Sequence, residues 1–166
     1  MSRGGGDKFT TILMVDDDHE DDLLVKDAMM EAGIHQNLRY LPDSEGLMDY
    51  LVHRGEYSDP KIFPMPSLVL LKLHMPRKDG YETLKDIKAN PTACHIPVVI
   101  FTASSDVHEM AECYRLGASS FIIKPQSFES LVKAINTLRT HWLDTDTVCP
   151  PVPIKPTERE SWGRDD

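Results

Sequence analysis

Five short apolar runs, each followed by a stretch of helical periodicity, constrain this chain more than any other feature of its sequence. Thr11-Ile12-Leu13-Met14-Val15 reads as a buried strand closed by Asp16-Asp17-Asp18, and Asn37 to Leu41 as a second, weaker strand. Ser67 to Leu71, Pro97 to Thr102 and Ser120 to Ile123 are the third, fourth and fifth. Leu68-Val69-Leu70-Leu71 is continuous rather than alternating, as expected when both faces of a strand are covered. Helices are predicted over His19 to Ala32, with Leu23, Leu24, Ala28 and Met29 as apolar positions and Gly33 as the stop. A second lies around Leu47, Tyr50 and Leu51, and a third over Gly80 to Ala89. A fourth runs up to Gly117, opened by Asp106 and Glu109 as a capping pair. The last spans Ser127 to His141, with Phe128, Leu131, Ile135, Leu138 and Trp142 on one stripe. Strand then helix, repeated, implies a parallel sheet with helices on both faces, because parallel strands need crossovers and crossovers are right-handed.

The flanks have a different character. Residues 1–8 read as a flexible leader around Gly4-Gly5-Gly6, and residues 9–143 as the folded domain. Residues 144–166 read as an extension in which Pro150, Pro151, Pro153 and Pro156 forbid a continuing helix. A net charge of −9 argues against a nucleic-acid partner held by bulk electrostatics. No apolar run approaches the ~18 residues a membrane span needs, and Met1 to Lys8 lacks the apolar core of a secretory signal. Cys94, Cys113 and Cys149 are widely spaced with no C-x-x-C pair, which suits reduced thiols in a cytoplasmic protein. None of the 7 histidines has metal-ligand spacing. With no Gly-rich nucleotide loop and no activated Ser or Cys pair, an enzyme is not expected.

In open parallel sheets, ligands collect at the carboxyl ends of the strands. Those ends carry Asp16, Asp17 and Asp18 after the first strand, Lys72 after the third, Thr102 and Ala103 after the fourth, and Lys124 and Pro125 after the fifth. Adjacent carboxylates are hard oxygen ligands suited to Mg²⁺. The same acids also make a solvated turn that caps the first helix, Thr102 a hydroxyl bonding locally, and Lys124 a surface lysine. Their joint placement at four strand ends is what carries weight.

Four segments then resemble the receiver domains of two-component response regulators. They are Ile12-Leu13-Met14-Val15-Asp16-Asp17-Asp18, Leu73-His74-Met75-Pro76-Arg77-Lys78-Asp79-Gly80, Val98-Val99-Ile100-Phe101-Thr102-Ala103, and Gly117 to Pro125. The resemblance covers Phe9 to Thr140 in order. It implies a flavodoxin-like (βα)₅ fold with sheet order 2-1-3-4-5. By position, it implies that Asp16 and Asp17 hold Mg²⁺ and that His74 lends the metal its backbone carbonyl. It further implies that Thr102 and Lys124 stabilise a phosphoryl group and that Phe121 is the aromatic switch residue, although Phe121 also reads as ordinary core.

The departure lies at the centre. Where the family has its phospho-accepting aspartate, this chain has Lys72. A usual receiver pocket sets three carboxylates against one lysine, an excess of negative charge that a divalent cation neutralises. Here Asp16 and Asp17 face Lys72 and Lys124, and that set balances without metal. A free lysine has a pKa of about 10.4, so under ~0.1% is the neutral nucleophile at pH 7. Two nearby acids hold it charged, since one pair at ~4 Å is worth roughly 4 kcal/mol at an effective dielectric of ~20, a ceiling that burial lowers. The expectation is a chain that does not accept phosphate at this position, binds Mg²⁺ weakly or not at all, and acts through protein contacts. The alternative is acceptance by another carboxylate, Asp16 or Asp17.

Within the superfamily, the insertion Glu56 to Ser67 and the ending His141-Trp142-Leu143 … Val148-Cys149-Pro150-Pro151 resemble the small regulators paired with phytochrome-type histidine kinases. The residues after Leu143 are mostly proline and charge, and the chain reads as a stand-alone receiver. The subgroup resemblance implies a sensor histidine kinase as partner and a homodimer built by the last helix and the C-terminal arm. For the kinase-facing surface it implicates Val25, Met29, Pro125 and Gln126, although two apolar residues on a helix are more often core.

Overall fold

All five apolar runs form strands, and the stretches between them form helices. The computed structural model describes residues 11–34 and 37–143, with side chains to residue 141. The strands are β1 (Thr11–Val15), β2 (Asn37–Leu41), β3 (Leu68–Leu71), β4 (Val98–Thr102) and β5 (Ser120–Ile123). The helices are α1 (His19–Glu31), α2 (Ser44–Leu51), α3 (Gly80–Ala89), α4 (Val107–Arg115) and α5 (Phe128–Leu138). Every helix opens on a short polar side chain that accepts a hydrogen bond from a first-turn N–H: Asp18, Asp43, Asp79, Asp106 and Ser127. Such caps are legible in sequence because only Ser, Thr, Asp and Asn place an oxygen at that distance.

The sheet is wholly parallel in the order β2-β1-β3-β4-β5, as expected. Alternation along each strand divides the core in two. Leu13, Val15, Val69, Leu71, Val98 and Ile100 face α2, α3 and α4, where they meet Leu47, Leu51, Leu84, Ile87 and Cys113. Ile12, Met14, Leu68, Leu70, Val99 and Phe101 face α1 and α5, where they meet Val25, Ala28, Met29, Leu131, Ile135 and Leu138. The insertion after α2 is anchored to the first of these layers. Tyr57 and Phe63 pack on Tyr50, and the Tyr50 hydroxyl donates to the Pro64 carbonyl at 2.9 Å.

Several local readings need correction. Leu23 and Leu24 are exposed, at 49% and 45%. The inward stripe of α1 is instead Asp21, Asp22, Val25, Ala28 and Met29, because its phase is set by packing on α5 rather than by the most apolar pair. In α5 the stripe Leu131, Ile135, Leu138 is buried, but Phe128 is 42% exposed at the first turn. That helix ends at Leu138 and passes into a π-helical turn, Arg139–Leu143. The side chains of Trp142 and Leu143 lie outside the described residues, as do the proposed leader 1–8 and extension 144–166. At α4, Asp106 caps the His108 N–H at 2.8 Å. Glu109 does not close a capping box; both its oxygens lie 3.1 Å from His74 Nε2.

Candidate functional site

Strand register builds the site. Val15 is opposite both Leu41 and Leu71, so β1, β2 and β3 end at one level, while Leu71 is opposite Ile100 and β4 continues past it to Thr102. The Lys72 N–H donates to the Val15 carbonyl at 3.0 Å, and the Asp16 N–H to the Leu41 carbonyl at 3.1 Å. The residues after β1 and β3 are therefore neighbours, although far apart in sequence. From the other edge, the Lys124 N–H donates to the Thr102 carbonyl at 2.6 Å, tying the ends of β4 and β5.

Lys72 Nζ stands 2.9 Å from Asp17 Oδ1 and 3.4 Å from Asp16 Oδ1, with the lysine side chain 28% exposed. Burial works against its charge, but the Asp17 hydrogen bond and the charges of Asp16 and Asp17 together hold the ammonium above its ordinary range. The same hydrogen bond from Lys72 lowers Asp17. Asp16, 1% exposed, behaves differently. Burial pushes its carboxyl up to about 6; the Asp18 N–H and Lys72 oppose the rise, and the Asp21 carboxyl adds to it.

Asp21 escaped the sequence reading. It lies in the first turn of α1, is buried, and forms an ion pair with the Lys124 ammonium. The available signal was phase: residues 21, 25 and 28 share one helical face, and an acid in line with Val25 and Ala28 points inward. The ionic set is thus three carboxylates against two ammoniums, and not the balanced two against two expected from the strand ends alone. Asp18 belongs to the helix cap instead, accepting from the Glu20 N–H at 3.0 Å.

The other expected residues fall around this centre. Thr102 is buried, and its hydroxyl accepts from the Ser104 N–H at 3.2 Å. Phe121 is half-buried against the α2–α4 layer. The His74 side chain turns outward to Glu109, joining the loop after β3 to α4. Gly80 closes that loop: a Cβ there would lie 2.8 Å from the Lys72 carbonyl oxygen and 2.9 Å from Leu73 Cα. Only a residue without a side chain lets the start of α3 approach the backbone carrying Lys72. Of the proposed kinase-facing residues, Val25 and Met29 are core, at 1% and 4% exposure. Pro125 and Gln126 line a groove of about 210 Å³ whose other walls include Asp21, Leu24, Lys124 and Phe128.

Asp16 and Asp17 are hard oxygen donors, but the Lys72 ammonium already lies within bonding distance of an oxygen of each. Among the described residues, no group of three or more His, Cys, Asp or Glu is arranged to hold a metal ion. A divalent cation taking its place between Asp16 and Asp17 would meet the Lys72 ammonium there. None of the described helices is long and apolar enough to cross a membrane.

The sequence profile of the response regulator receiver domain matches residues 12–136. The chain belongs to that family. Response regulator Rcp1 of Synechocystis sp. is 34% identical over 137 residues, covering 82% of this chain and 91% of Rcp1. The crystal structure of the phosphorylated cyanobacterial phytochrome response regulator RcpA superposes with a TM-score of 0.76 at 30% identity, covering 86% of this chain and 99% of that one. The Mn²⁺-bound form of Rcp1 superposes at 0.72 with 34% identity, over 84% of this chain and 98% of its own. These relatives of the receiver domain are response regulators, not enzymes, and as a class receiver domains bind Mg²⁺. The fold, the sheet order and the kinship with phytochrome-associated regulators all agree with the expectations from sequence.

Proposed function

We propose that this response regulator acts downstream of a phytochrome-type sensor histidine kinase, in the cytoplasm, and that it signals by protein contact without phosphorylation at the usual position. The observation that carries this reading is Lys72: it follows β3, the place of the acceptor aspartate, and its ammonium bonds to the carboxylates that would hold the metal. An ammonium there has no lone pair to attack phosphorus, and Asp16 and Asp17 hold it in that state. The same charge opposes a second cation between Asp16 and Asp17, so Mg²⁺ binding is weak. Asp16, Asp17 and the His74 carbonyl remain the metal positions of the family pattern. Thr102 and Lys124 remain the phosphoryl-stabilising pair and Phe121 the switch residue, all without their usual ligand.

The kinase meets the groove between α1 and the β5–α5 loop. Leu24 and Phe128 are its exposed apolar contacts and Pro125 and Gln126 its loop wall, in place of the buried Val25 and Met29. A homodimer through α5 and the extension 144–166 belongs to the same reading and is supported by the likeness to phytochrome-associated regulators.

The test is exposure of the full chain to a small phosphodonor, such as phosphoramidate or acetyl phosphate, with Mg²⁺. No hydroxylamine-labile phosphoprotein should form, whereas Lys72→Asp should yield one. Labelling of the native chain at Asp16 or Asp17 would establish the conventional alternative and overturn the reading.

A further inference from the structure

Lys124 has found a carboxylate partner that its strand-end position does not explain. Its ammonium is one-third exposed and pairs with Asp21, whose side chain is 10% exposed on the inward stripe of α1. Strand-end position alone would set Lys124 against Asp16 or Asp17. Both are already engaged by Lys72, and a second ammonium there would meet the first. Asp21 offers the remaining anionic oxygen, and its burial lessens the screening of the pair relative to a surface salt bridge.

The pair also spans two separate elements. Asp21 belongs to α1, Lys124 to the connection between β5 and α5, and both line the groove with Leu24, Pro125, Gln126 and Phe128. An ionic bond between two residues that line the groove joins its two walls.

We propose that Asp21 is a positioning residue that holds the Lys124 ammonium in the stead of a phosphoryl anion. It thereby fixes the β5–α5 loop against α1 and bars a tetrahedral anion from Lys124. This deepens the preceding proposal and rests on it only for the identity of the displaced anion; the Asp21–Lys124 strap itself is independent of what stands at position 72. The groove is then set in width by two side chains of the chain itself. It stays in one arrangement whether or not phosphate reaches the site.

Two measurements on the full chain test this. In amide hydrogen exchange, Asp21→Asn should speed exchange in the loop from Lys124 to Ser127 about tenfold, the loss of one partly buried ion pair. Lys124→Gln breaks the pair from the other side and should do the same. Asp21→Glu keeps the charge and should stay near the native rate, which a purely steric role for Asp21 would not predict. Unchanged loop exchange in both Asp21→Asn and Lys124→Gln overturns the proposal.

The second measurement is the affinity for beryllofluoride with Mg²⁺, made in a Lys72→Asp background. Asp21→Asn in that background should tighten binding about tenfold by releasing Lys124; equal affinity overturns the role of Asp21 in excluding the anion. If the native chain binds beryllofluoride as well as Lys72→Asp does, the reading of Lys72 fails instead, and the exchange experiment still decides the strap.

Discussion

Replacing Lys72 by Asp removes a positive charge from the space between Asp16 and Asp17 and adds a negative one. For Mg²⁺ to enter the native site, the ammonium must first give up contacts of 2.9 and 3.4 Å. At those distances each pair is worth about 1.3 kcal/mol in bulk water and about 5 kcal/mol at an effective dielectric of ~20. Lys72 is 28% exposed and Asp17 37%, so solvent screening puts the value toward the lower end, and recovered hydration of the freed groups reduces it further. A net of roughly 3 kcal/mol for the two pairs together corresponds to about a hundredfold in affinity. The third carboxylate adds to that by completing the oxygen set. Isothermal titration with MgCl₂ at pH 7.5 and ~0.1 M salt reads the difference directly. Lys72→Asp should bind at least about a hundredfold tighter than the native chain. Affinities within about threefold of each other would mean that the ammonium swings aside at little cost, and the argument from ion replacement would be refuted.

Other consequences are independent of metal. Asp16 is pushed from 3.8 to about 6, so the folded chain binds more protons than the unfolded chain between those pH values. That contribution to stability is present below about pH 4 and is lost as pH rises through about 6, to a limit of about 3 kcal/mol. Asp16→Asn should therefore gain stability relative to the native chain as pH rises from 4 to 7 in urea titrations, and a constant difference would contradict the assignment. Gly80→Ala places a methyl against the backbone of Lys72 and Leu73 and should lower stability by about 1–3 kcal/mol, read as a lower Tm. Truncation after Thr140 should lower the mass seen by light scattering to that of a single chain, and an unchanged mass would count against dimerisation through α5 and the extension.

The sequence by itself determined the five strands, their helical crossovers and the acidic caps that begin the first and fourth helices. These are signals of period, β-propensity and side-chain reach, all carried within a few neighbouring residues. It also brought Asp16, Asp17, Lys72, Thr102 and Lys124 forward together, because each directly follows or ends an apolar run. Tertiary structure decided who pairs with whom. Which face of α1 turns inward was hidden: Leu23 and Leu24, apolar positions of the helix, are exposed, and packing against α5 turns Asp21 and Asp22 inward. Register between β1 and β3 placed Lys72 beside Asp17, and Lys124 then went to Asp21 rather than to the strand-end acids. Coulomb energy depends on distances of a few ångströms between side chains from separate elements, and such distances are set only when the sheet and both of its helical layers have assembled.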